Sequence, residues 1–138
     1  MTALFADTFY WVALADFADG AYERALSITA ERAASRIVTT DEVLTEYLTF
    51  FSTAPESLRR EAAESVAGIL ANPVIRVIPQ PRESYLAGLQ LYRARPDKRY
   101  SLVDCISMQA MRKEGLTDVL TNDRHFEQEG FRPLFRDS

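Results

Sequence analysis

Apolar residues along this chain fall in two alternating patterns: short solid runs of four to five, and longer stretches where they recur every three or four positions. Solid runs bounded by turn residues suit strands buried on both faces, whereas the wider spacing suits helices with one buried face. Ala3-Leu4-Phe5-Ala6 predicts a strand ending at Asp7, followed by a helical segment through Phe9–Leu14. Asp19-Gly20 punctuates, and Ala21–Ala34 reads as an amphipathic helix. Arg36–Thr39 is a second short strand, after which Thr39 or Thr40 can cap a helix carrying Val43, Leu44, Tyr47, Leu48 and Phe51. Beyond Pro55, Glu56–Ala71 is helical, and Val74–Ile78 is a strand stopped by Pro79 and Pro81. Ser84–Tyr92 is a helix, Arg93–Arg99 a basic loop, and Ser101 starts a helix that Gly115 ends. Asp118–Thr121 is a strand, Asn122–Gly130 a loop, and Pro133–Phe135 an edge strand.

Strands alternating with helices imply an α/β fold with a parallel sheet covered on both faces. Ligands of such sheets collect beyond the carboxyl ends of the strands. Asp7 and Asp123 each follow an apolar strand and should emerge there. Glu46 and Asp104 lie in early turns of helices that run back against the strands, so both should reach the same edge. The chain's two lysines, Lys98 and Lys113, do not obviously join them.

That convergence carries an energetic cost. Two carboxylates ~5 Å apart repel by ~3 kcal/mol at an effective dielectric of about 20. Four cannot all stay ionised and unpaired near neutral pH, so either some protonate or a cation sits among them. Oxygen-only donors select hard divalent ions, Mg²⁺ or Mn²⁺, and such a site suits phosphodiester hydrolysis by metal-activated water.

The motifs carrying these acids resemble a known family over nearly the whole chain. Leu4-Phe5-Ala6-Asp7-Thr8 with Trp11-Val12-Ala13-Leu14 looks like the opening of a PIN domain. Thr40-Asp41-Glu42-Val43-Leu44-Thr45-Glu46 resembles its second motif, Ser101–Met108 its third, and Thr121-Asn122-Asp123-Arg124-His125-Phe126 with Gly130-Phe131 its fourth. The short form is most similar to the toxin ribonucleases of VapBC-type toxin–antitoxin modules. The resemblance implies one domain over 1–138 and a three-layer α/β/α sandwich with a short, mostly parallel sheet in the order 3-2-1-4-5. It also implies Mg²⁺-dependent cleavage of single-stranded RNA, frequent homodimers, and neutralisation by a small antitoxin. Asp7, Glu46, Asp104 and Asp123 are the metal-ligating and catalytic candidates. Cys105 stands where a small residue is usual, and Phe9-Tyr10-Trp11 is more aromatic than in many relatives.

Each candidate has an ordinary structural reading. Asp7 could cap the following helix, and Asp104 could be the acidic member of a capping box begun by Ser101. Glu46 has rivals in Asp41 and Glu42, since Glu42 and Glu46 share one helix face. Asn122 could substitute for Asp123. Thr8, Thr121 and Asn122 are candidates to hold the carboxylates by hydrogen bonds. The single histidine, His125, reads as a loop residue rather than a base, because metal-activated water needs no imidazole. Cys105 reads as a small apolar helix residue.

Composition narrows the classes further. Sixteen Lys+Arg against 20 Asp+Glu leave a net charge of −4, so RNA binding requires a local basic patch. Arg93–Arg99 packs four cations against one acid, and Arg95, Lys98 and Arg99 are its candidates for substrate phosphates. One cysteine and one histidine leave neither a disulfide framework nor a multi-histidine metal site. The longest apolar run, Phe9–Ala15, is far short of the ~20 residues of a membrane span and lacks a basic start, so a cytoplasmic location is expected. A receiver-type signalling module would need an acidic pair after the first strand and a lysine late in the chain, and neither is evident. A dehalogenase-type phosphatase would need a second aspartate at position 9, which is Phe9. A PIN-like scaffold without catalysis is the remaining alternative.

Overall fold

The computed structural model describes residues 2–136. Five strands form one sheet: β1 (Ala3–Ala6), β2 (Arg36–Thr40), β3 (Ile75–Ile78), β4 (Asp118–Leu120) and β5 (Arg132–Pro133). Their spatial order is β3-β2-β1-β4-β5, and every pairing is parallel. The central strand β1 aligns Phe5 with Val38 on one side and with Val119 on the other. Its residues Leu4, Phe5 and Ala6 are fully enclosed, as a parallel strand flanked on both faces by helices must be. No helix among the described residues is long and apolar enough to cross a membrane.

The helices are α1 (Thr8–Ala15), α2 (Tyr22–Glu31), α3 (Asp41–Phe50), α4 (Glu56–Ala71), α5 (Arg82–Ala94), α6 (Leu102–Glu114) and α7 (Arg124–Gln128). Two of them start and stop for reasons written in the sequence. Thr40 caps α3 by accepting the Val43 N–H at 3.1 Å. Ser101 and Asp104 cap α6 reciprocally, and α6 ends where Gly115 turns left-handed at φ 70°, a conformation costly for other residues.

Three expectations need correction. Residues 122–130 are not wholly loop: Asp123 caps α7, whose buried Phe126 anchors the segment to the core. The expected basic loop at 93–99 is partly helical, because α5 runs on through Ala94. The edge strand is present but shorter and earlier, at Arg132–Pro133 rather than Pro133–Phe135. A proline suits that place, since an edge strand leaves one side of its ladder unpaired.

Helices α5 and α6 pack closely enough to exclude a side chain. A Cβ at Gly88 would lie 2.3 Å from Cγ1 of Ile106 and 3.1 Å from its Cα and backbone nitrogen. Alanine gains roughly 1 kcal/mol of helix propensity, but overpacking against backbone costs typically 1–3 kcal/mol. Gly88→Ala is therefore expected to lower the thermal midpoint by a few degrees, read by circular dichroism. Because α6 carries Asp104, the same packing also fixes the height of that carboxylate.

Candidate metal centre

Asp7 sits one residue beyond β1 at the N-cap of α1, with extended backbone angles. It occupies the N-cap position, but its side chain makes no capping hydrogen bond into the first turn. The carboxylate instead accepts the Thr121 hydroxyl at 3.0 Å. The same hydroxyl accepts the backbone N–H of Asp123 at 3.2 Å, so one threonine after β4 ties two of the acids together. The Thr8 hydroxyl donates to Oε1 of Glu46 in a short contact that joins α1 to α3.

Asp104 completes its capping box with α6. Its N–H donates to Ser101 Oγ at 3.0 Å, and its Oδ2 accepts the Ser101 N–H at 3.1 Å. The ordinary reading of Asp104 is correct as geometry and leaves the carboxylate at the helix N-terminus facing the other acids. Asp123 caps α7 by accepting the His125 N–H at 2.9 Å. A ring nitrogen of His125 and one oxygen each from Asp104 and Asp123 all lie within 4.8 Å of one another.

Electrostatics register the crowding. Burial, the Asp104 charge and the Glu46 charge raise the Asp7 carboxyl from 3.8 to about 7, against opposing hydrogen bonds from Thr8 and Thr121. Asp104 is also raised, first by burial and then by the Asp123 and Glu46 charges, against the Ser101 hydrogen bond and His125. Among the described residues no lysine or arginine pairs with any of the four acids, and His125 is the one basic group beside them. Asp104, Asp123 and His125 form a cluster that could hold a metal ion, and Asp7 and Glu46 are close enough for their charges to act on it or on each other.

The rivals to Glu46 differ from each other. Asp41 accepts the Gln80 N–H at 3.0 Å. Glu42 is buried and raised chiefly by desolvation, with Oε2 lacking a hydrogen-bond partner. It shares with Glu46, Gln80 and Val103 a groove of about 270 Å³ beside the acids. A larger concavity, about 740 Å³, contains none of the four acids and is lined by Tyr47, Phe51 and Leu58 among others.

The other sequence candidates are spread more widely. Asn122 is exposed, and its carbonyl accepts from Arg136 at 3.5 Å. Arg95 is committed to Glu129, with Nε donating to Oε1 at 2.7 Å, and Arg112 approaches the same carboxylate at 3.3 Å. Lys98 and Arg99 are exposed, Lys98 near Asp97 and Arg99 with φ 60°. Cys105 is buried and its thiol is pushed up to about 11, so it is inert as a nucleophile. Sequence reasoning passed over the nearness of His125 to Asp104. The available signal was its position two residues after a helix-capping aspartate.

Known proteins resemble this chain over nearly its whole length. A 23S rRNA-specific endonuclease from Mycobacterium tuberculosis, VapC20, is 27% identical over 128 residues, which span 93% of this chain and 95% of the relative. The crystal structure of M. tuberculosis VapC20, described as a sarcin–ricin loop cleaving toxin, superposes with a TM-score of 0.81 at 28% identity, over 93% and 95% of the two chains. The PIN domain family model matches residues 4–131, from β1 through the residue before β5 and so across all four acids. With that match spanning the sheet and its acidic edge, the chain belongs to the PIN domain family of nucleases.

Proposed function

We propose that this protein is an endoribonuclease dependent on a divalent cation, Mg²⁺ or Mn²⁺, and the toxin of a toxin–antitoxin pair. One observation supports the reading: the charges of Asp7, Glu46, Asp104 and Asp123 act on one another, Asp7 is raised to about 7, and among the described residues no lysine or arginine pairs with them. Asp7, Glu46, Asp104 and Asp123 hold the cation. When bound, it lowers the pKa of water and stabilises charge on the departing oxygen of a phosphodiester. Thr121 and Thr8 aim Asp7 and Glu46, so those oxygens need little rearrangement on binding. Asp7, buried and close to half-protonated at neutral pH, gives up its proton as the site fills.

Substrate phosphates need cations, and Lys98 and Arg99 are exposed, as is Arg93 at the start of the basic segment. Arg95 contributes less to RNA because Glu129 already holds it. VapC20 is named for action on 23S rRNA, and its crystal structure for cleaving the sarcin–ricin loop, so that loop is the first RNA to try. A small antitoxin protein, a homodimer and a cytoplasmic location complete the proposal.

The test is cleavage of a sarcin–ricin loop oligonucleotide and of bulk RNA by the purified full chain. Cutting is expected with Mg²⁺ or Mn²⁺, none with EDTA, and a loss of roughly 10³-fold in Asp104→Asn. Equal cutting with EDTA would remove the cation from the account. Cation binding without cleavage of any RNA would favour the scaffold reading.

A further inference from the structure

We propose that His125 is a nitrogen donor of the acidic centre, giving it a mixed oxygen–nitrogen set that prefers a first-row transition ion such as Mn²⁺ over Mg²⁺. The inference deepens the nuclease reading and rests on it. Nδ1 of His125 is buried and makes no hydrogen bond, and it stands at ion-pair distance from both acids, 3.3 Å from Oδ1 of Asp123 and 3.6 Å from Oδ2 of Asp104. A buried polar atom left so costs free energy unless a ligand satisfies it. The spacing is that of ligands around one ion: neighbouring donors on an octahedral cation at ~2.1 Å lie ~3 Å apart.

Local structure holds the ring there. Asp123 takes the backbone N–H of His125 in the cap of α7, which fixes the main chain two residues from the acid. The ring of the buried Tyr100 lies 5.3 Å from the imidazole, tilted at 58°, and restricts its rotation. Phe126, next in sequence, is buried in the core and anchors α7. Imidazole suits transition ions, whereas Mg²⁺ takes oxygen donors and keeps its waters, so the nitrogen discriminates between the two.

The experiment uses the purified full chain with Mn²⁺ alone as probe. Electron spin-echo modulation detects a nitrogen bonded to Mn²⁺, and calorimetry gives the affinities. Wild type is expected to show ¹⁴N modulation that disappears in His125→Gln and His125→Asn. Mn²⁺ affinity should fall about 10-fold in both variants, while Mg²⁺ affinity changes by less than about 2-fold. Two variants of different length, each checked for an unchanged melting point without metal, separate ligand loss from misfolding. Bound Mn²⁺ without nitrogen modulation in wild type, or modulation that survives both substitutions, overturns the role of His125 and leaves the nuclease reading intact. Absence of Mn²⁺ binding by wild type overturns both.

Discussion

Asp7→Asn should abolish RNA cleavage and at the same time stabilise the metal-free fold. The carboxylate is buried, and its neighbours Asp104 and Glu46 repel it, so ionising it inside the protein is costly. Asparagine keeps the shape and can still accept the Thr121 hydroxyl, but carries no charge. A rise of about three units in the carboxyl pKa corresponds to on the order of 4 kcal/mol of ionisation penalty, all of it removed by the substitution. Cleavage should fall by roughly 10³-fold or more, because an amide oxygen is a far weaker cation ligand than a carboxylate. The melting point in EDTA at pH 8 should rise by several degrees. Loss of activity with an unchanged or lower melting point would mean that Asp7 is not under the strain described here.

The same strain fixes the sign of the pH dependence. A carboxyl raised from 3.8 to about 7 keeps its proton in the folded state after the unfolded chain has lost it. Folded protein then binds more protons than unfolded protein, and stability falls as pH rises. In EDTA, the wild-type contribution from Asp7 should be neutral below pH ~4, decline between pH ~4 and ~7, and level off above. Asp104, shifted in the same direction, adds to the decline. Millimolar Mn²⁺ should reverse it at pH 7.5, since a ligand that binds only the folded state stabilises by mass action. The quantity to measure is the difference in melting point between wild type and Asp7→Asn at each pH, in which other titrations largely cancel. A flat difference across that window would contradict the strained-carboxylate picture.

Much of this was legible in the chain because parallel topology makes sequence position predict spatial position. An acid following an apolar strand, and an acid early in the next helix, arrive at one edge whatever the loops do. So Asp7, Glu46, Asp104 and Asp123 could be grouped before any coordinates existed. The caps of α6 were readable too, since Ser101 and Gly115 act through contacts within a few residues. Helix α7 was not, because five residues with one buried Phe126 give no period to detect. The engagement of Arg95 with Glu129 was equally hidden, since the partners stand 34 residues apart and nothing local marks the pair. The nearness of His125 to Asp104 was hidden for a related reason, since it depends on the Asp123 cap and on Tyr100 packing.

The central claim is that these acids coexist by sharing a cation, and proton-coupled calorimetry of Mn²⁺ binding tests it most directly. Asp7 and Asp104 both hold their protons more tightly than ordinary carboxyls in the metal-free protein, so filling the site near neutral pH should release a measurable number of protons per ion. Titrations in buffers of different ionisation enthalpy would read that number. The account predicts one tight site, proton release that shrinks toward pH 8.5, and loss of both in Asp7→Asn. Binding with no proton release, or no binding at all, would contradict it.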